Sequence, residues 1–186
     1  MPILGIWASS IAKTAPDTGS YFPLGEFTLA SAQANIEFTN IPQTYKHLQV
    51  RYMARGTNAA VDVEHQCQIN GATGSVYSYH IVYGDGASAG SAASSSNTKI
   101  VLNDFFGSTA LASTYGIGVM DILDYANTNK YKTTRTLIGR DRNGAGIVLL
   151  HSGLYQSTNA ITSLKFYPSA GNFEQYTHFA LYGVLA

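Results

Sequence analysis

The sequence predicts an all-β domain: an antiparallel β-sandwich, jelly-roll-like, with an extended N-terminal arm. Three observations lead there. Apolar and polar residues alternate with a period of two in one short stretch after another, which is the signature of half-buried strands. Turn-forming pairs with glycine and asparagine punctuate those stretches. Tyr, Thr, Val, Ile, Ser and Gly are abundant while long charged helix formers are scarce, a balance that favours strands over helices.

Taken in order, residues 1–20 form the arm and residues 21–186 the single sandwich domain. Residues 8–19, with Pro16 and Asp17, read as irregular chain. The first predicted strands cover residues 26–29 and 35–39. Leu48, Val50 and Tyr52 then alternate with His47, Gln49 and Arg51. The clearest strand follows, with Val61, Val63, His65, Cys67 and Ile69 set against Asp62, Glu64, Gln66 and Gln68. Further strands are expected at 77–83, 99–103, 116–123, 131–139, 147–151 and 163–167. Phe179, Leu181, Gly183 and Leu185 close the series. Asn70-Gly71, Gly84-Asp85-Gly86 and Asn143-Gly144 supply residues that tolerate positive φ, as tight hairpins require. Residues 84–97 (GDGASAGSAASSSN) read as a long surface loop. A single helical turn is expected near 105–111 or 124–127. Evenly spaced short strands without helices imply a sandwich or jelly roll.

Composition narrows the function classes. With 186 residues, 45% of them hydrophobic and 12% charged, the chain can bury a full core without a disulfide or metal staple. Eleven basic and eleven acidic residues cancel. A chain with no basic excess gains little from displacing counterions, which argues against nucleic acid as a partner. The same neutrality removes repulsion between copies and favours self-association. No stretch approaches the length needed to cross a bilayer, so no membrane insertion is expected. The short apolar run at the start has no basic residue before it and does not read as a signal peptide.

Chemistry-bearing motifs are sparse. Cys67 is the single cysteine; it could act as a nucleophile with His65 or His80, but on a strand it reads as a small buried side chain. None of the five histidines stands at metal-site spacing. Asp121 and Asp124 could form a glycosidase-like pair, yet the polar run after Asp124 reads better as a hairpin. Asp141-Arg142-Asn143-Gly144-Ala145-Gly146 resembles the front of a calcium loop but lacks the third oxygen ligand and the closing Glu. No catalytic residue, metal or cofactor is therefore assigned. Thirteen tyrosines stand out, because tyrosine suits contact surfaces and sugar stacking. Tyr77, Tyr79 and Tyr83 share one strand face and are the expected exposed patch. Asp124, Tyr125 and Asn127 in the polar hairpin, and Ile3, Leu4, Ile6 and Trp7 in the arm, complete the candidate interaction residues.

Several segments carry a resemblance: 3–10 (ILGIWASS), 41–51 (IPQTYKHLQVR), 80–86 (HIVYGDG), 121–133 (DILDYANTNKYKT), 152–155 (SGLY) and 175–183 (QYTHFALYG). In these the chain resembles small virion-associated structural proteins of tailed phages from marine and aquatic bacteria. The resemblance implies a non-enzymatic particle protein, made in the bacterial cytoplasm and resident in the virion. Its expected partners are itself, as a homotrimer, and the major capsid protein, with the protein decorating or cementing the head. The alternative is a tail-fibre module recognising host-surface glycan. Trp7 departs from the pattern, where an aliphatic residue is expected.

Overall fold

The computed structural model describes residues 20–185. They form twelve strands: β1 (Tyr21–Thr28), β2 (Ile36–Phe38), β3 (His47–Ala54), β4 (Asp62–Ile69), β5 (Tyr77–Gly84), β6 (Ala89–Asn97), β7 (Ile100–Phe106), β8 (Gly116–Leu123), β9 (Lys132–Asp141), β10 (Gly146–Tyr155), β11 (Leu164–Pro168) and β12 (His178–Val184). No helix occurs among the described residues. Eight strands make a large antiparallel sheet in the order β1-β12-β3-β8-β9-β10-β5-β6. The other four make a small sheet, β2-β11-β4-β7. The two pack as a jelly-roll-like sandwich with one core between them. Residues 1–19, which hold Ile3, Leu4, Ile6, Trp7 and nearly all of the expected arm, lie outside the described residues.

Alternation explains the core. On β4, Val63, His65, Cys67 and Ile69 point inward, as the period of two requires. Leu48, Val50 and Tyr52 do the same on β3, and Met120 and Ile122 on β8. Aromatic rings join the layers: Phe179 lies 5.0 Å from Phe166 and 5.1 Å from Tyr52, centroid to centroid. Tyr77 stacks on Tyr155 at 5.1 Å and donates its hydroxyl to the Ile69 carbonyl across the sandwich.

Three expectations about local structure are corrected. Residues 84–97 are not a long loop, because Ala89–Asn97 forms β6, paired along β5 at the edge of the large sheet. Its ladder bonds come from β5, and its small side chains leave no apolar alternation to read. Neither expected helical turn forms a helix: Phe105 and Phe106 end β7, and residues 124–126 make a turn closed by Asn127 N donating to the Asp124 carbonyl at 3.0 Å. Asn70-Gly71, both at positive φ, does make a tight turn. It joins no hairpin, however, but carries the chain from β4 in the small sheet to β5 in the large one. The other two turn signals do connect paired strands, β5 to β6 and β9 to β10.

Candidate functional site

The outer face of the large sheet is the most distinctive surface of the molecule, and strand register assembles it. One continuous row crosses all eight strands: Thr28, His178, Met53, Ile117, Gly139, Val148, Gly84 and Ala89. The adjacent row is Glu26, Ala180, Arg51, Val119, Leu137, Leu150, Val82 and Ser91. Seven large apolar side chains of these rows, on β3, β8, β9, β10 and β5, are exposed, with Ile117, Leu137 and Val148 each more than half accessible. A sheet with one face packed and one in water would place polar residues there. Here Ile117 and Val119 on β8, Leu137 on β9, and Val148 and Leu150 on β10 stand there instead, and a contiguous exposed apolar patch is a candidate contact site.

The patch is not flat. Gly139 sits at its centre with no heavy atom within 4 Å of where a Cβ would project, so the first row is a trough floored by glycine. The trough encloses about 480 Å³ between Met53, Ile117, Val119, Leu137 and Val148, with Arg51 and His178 at one end. A second hollow of about 670 Å³ continues it past Ile117 and Val148 to the loops around Asp85 and Asp141. Those carboxylates are engaged by their own turns. Asp85 accepts from Ser88 N and Ala87 N, which holds its acidity on the low-pKa side, and Asp141 accepts from Asn143 N at 2.7 Å.

A polar network borders the apolar block. Arg51 Nε donates to Gln49 Oε1 at 2.7 Å, Gln49 Nε2 donates to Asp121 Oδ1 at 2.8 Å, and Arg135 pairs with Asp121 Oδ2 at 2.9 Å. Arg51 also lies over the rings of Tyr21 and Tyr182, 5.1 and 5.2 Å from their centroids. An apolar centre with a hydrogen-bonded polar margin is the anatomy of a protein contact surface.

The residues singled out from the sequence fall elsewhere. Tyr77, Tyr79 and Tyr83 share a face of β5, but it is the inner one: Tyr77 is fully buried, and Tyr79 and Tyr83 pack half-buried against the core. The exposed-patch expectation is thereby overturned. Ile81 lies between them on the same side, and the outward residues are His80 and Val82. Tyr125 is a core plug that donates its hydroxyl to the Pro42 carbonyl. Asp124, in a left-handed conformation, pairs with Lys46 at 3.0 Å and with Lys130, and these cations pull its carboxyl down to about 2. Asn127 accepts from Asn129 N at 2.8 Å through its side chain. Lys132, buried, donates to the carbonyls of Asn127, Lys130 and Thr158. The polar groups of this hairpin are thus engaged, within it and with Pro42, Lys46 and Thr158 beside it.

Other candidates resolve in the same way. Cys67 is buried and burial pushes its thiol pKa up, away from the thiolate a nucleophile needs. His65 is also buried, with Nδ1 2.7 Å from the Asn103 carbonyl. Asp121 belongs to the polar margin, and Asp124 to the lysine-bound turn. Among the described residues, no three His, Cys, Asp or Glu side chains converge as metal ligands. The apolar block itself went unread in the sequence. Its signal was the consecutive apolar run Ile147-Val148-Leu149-Leu150, which supplies both faces of one strand at once.

No protein-family model matches the sequence, and no curated protein does. Among solved structures, the Caenorhabditis elegans galectin LEC-6 is similar over 87% of this chain and 96% of that one, at 10% identity and a TM-score of 0.33. That score is too low to carry an argument about ligand or function.

Proposed function

We propose that this chain is a structural protein of a phage particle that decorates the exterior of the capsid and acts through protein–protein contacts. The observation that carries the reading is the row Val119, Leu137, Leu150 and Val82 beside Ile117 and Val148: an exposed apolar face with a hydrogen-bonded margin. The resemblance in sequence supplies the particle, and the face supplies a means of attachment. A neutral protein with a modest apolar contact gains on a particle because many weak contacts act together. A homotrimer on the capsid surface, touching the major capsid protein, fits this mode of binding.

The glycan-binding tail-fibre alternative draws less support. The tyrosine ladder on which it would rest faces the core, and the exposed tyrosines Tyr21, Tyr131 and Tyr176 stand on separate segments.

The test pairs wild type with a Leu137→Glu, Leu150→Glu double variant, each supplied during particle assembly. Wild type is expected on purified heads in fixed proportion to the capsid protein, and the double variant is expected to be depleted at least severalfold. Equal incorporation of both proteins would remove the face from the account.

A further inference from the structure

We propose that Tyr176 is the anchor by which this chain grips the particle protein it decorates, its ring entering a pocket of that partner with apolar walls and a carbonyl acceptor for the phenol. The inference rests on the reading of the outer face as an attachment surface and names the residue that extends it.

The backbone at Tyr176 is unusual. Among the described residues, the other non-glycine positions with positive φ are Asn40, Asn70, Asn103, Asn143, Asp124, Ser96 and Ser113, all with short polar side chains. Tyr176, at a φ of 67°, is the bulky one, and a bulky side chain in the left-handed region is a steric outlier. It is the third residue of the turn Glu174-Gln175-Tyr176-Thr177, closed by Thr177 N donating to the Glu174 carbonyl at 3.2 Å. Positive φ at that position of a turn belongs to Gly or Asn. The surrounding chain enforces the conformation. Glu174 N donates to the Arg55 carbonyl and Tyr176 N to the Leu29 carbonyl, both at 2.8 Å.

The side chain that causes this strain does little for the fold. It is 61% exposed, and among the described residues it makes no hydrogen bond and stacks on no ring. Strain kept at an exposed residue points to a use outside the fold. Tyrosine is also among the side chains most enriched at the energetic centres of protein contacts, where an apolar ring is buried and the hydroxyl finds a partner.

Its position joins it to the apolar face. Tyr115, just before β8 and two residues from the outward Ile117, lines the hollow that continues the trough. The Tyr115 hydroxyl donates to the Gln175 carbonyl at 2.8 Å, which fixes the strained turn at that end of the face. Five strands at about 4.8 Å spacing and two rows about 7 Å apart give an apolar block of roughly 300 Å². A stable contact takes about 800 Å² from each partner, so the block needs extending, and a buried aromatic adds about 150–250 Å². Glu174 beside the ring is already paired with Arg55 at 2.9 Å. The anchor therefore carries no unpaired charge into the contact, which suits apolar walls with one hydrogen-bond acceptor.

Tyr176→Gly and Tyr176→Asn each remove the ring and relieve the strain. Both are expected to unfold at a urea concentration equal to or above that of wild type. Supplied during particle assembly, both are expected to be depleted on purified heads at least severalfold. Tyr176→Phe, which keeps the ring, is expected to lose much less. Tyr131→Ser, exposed at the opposite end of the large sheet, is expected to incorporate like wild type. A clear drop in the unfolding midpoint of Tyr176→Gly overturns the proposal by making the side chain structural. Equal incorporation of Tyr176→Gly and wild type also overturns it, as does an equal loss with Tyr131→Ser. Loss of self-association in sedimentation, with incorporation intact, assigns the ring to a neighbouring copy and overturns it as well. Depletion of the Leu137→Glu, Leu150→Glu variant with the Tyr176 variants unaffected removes the anchor and leaves the attachment reading standing. Wild type absent from heads overturns both.

Discussion

Arg55 illustrates how much of this fold depends on single buried polar groups. Its side chain is 5% exposed and its guanidinium donates to the carbonyls of Leu111 and Thr114 at 2.8 Å, and of Ala110 and Ser108 at longer range. Nε pairs with Glu174 at 2.9 Å. One planar cation thus satisfies the loop between β7 and β8 and ties it to the segment before β12. Arg55→Met leaves those carbonyls without a donor, and removing one partner from such a buried network costs about 3–5 kcal/mol. Urea unfolding of the variant is the check. A change near zero would show that water replaces the guanidinium.

Two core histidines make the second prediction at this scale. Burial lowers His65 to about 3 and His151 to about 4, from an ordinary value of 6.5. Both are neutral in the folded protein, while the unfolded chain takes up protons below pH 6.5. Stability is therefore fully present above pH 6.5 and is lost as pH falls toward 4. Each histidine contributes a slope of about 1.4 kcal/mol per pH unit. His151 stacks on Tyr79 at 5.4 Å, so His151→Phe keeps an aromatic ring there and should remove about half the slope. Urea midpoints measured from pH 7 to pH 4.5 decide it; parallel curves for wild type and variant would contradict the assignment.

At the scale of elements, the strands of the large sheet divide into those with one buried face and those apolar on both. Leu137 and Leu150 face outward opposite each other on β9 and β10. Replacing both with Glu should change folding stability by less than about 1 kcal/mol, since surface substitutions rarely exceed 0.5 each. The same change should abolish the contacts assigned to the face. A fall in stability of several kcal/mol would mean that the face is structural rather than adhesive. Deleting residues 2–12 should likewise leave the sandwich folded, because the described residues 20–185 already form a continuous core spanning both sheets. Loss of the cooperative unfolding transition in that deletion would contradict this.

These elements also show what the sequence could convey. The alternation on β4 is plain because one face meets the core and the other meets polar surroundings. Small-residue β6 carried no such contrast: its pairing with β5 is a backbone affair, and Ala and Ser leave no mark of it. For the tyrosines of β5, period two correctly grouped Tyr77, Tyr79 and Tyr83, but it could not say which side was inside. Ile81 on their side and Val82 on the other are both apolar, so the choice depended on which face met the small sheet. The outer apolar block stayed hidden for a related reason. It is built by register across β3, β8, β9, β10 and β5, and single strands of it read like ordinary buried ones.

For the whole molecule, the described features are those that the proposed attachment role would use. The interior is filled by packed aromatics, with Tyr77 and His65 hydrogen-bonded to backbone carbonyls, the carboxylates of Asp85 and Asp141 are held by their own turns, and the outer face of the large sheet stays apolar and exposed. A neutral chain of 186 residues whose described part carries such a face would suit the proposed repeated attachment to an ordered array, where the multiplicity of contacts supplies the strength that one contact lacks. The central claim is that this protein sits on the outside of a phage head. Immunogold electron microscopy of intact virions, with antibody raised against the recombinant protein, tests it most directly. Gold spread evenly over the heads is the predicted result. Gold confined to the tail, or no gold on particles shown to be intact, would contradict the account.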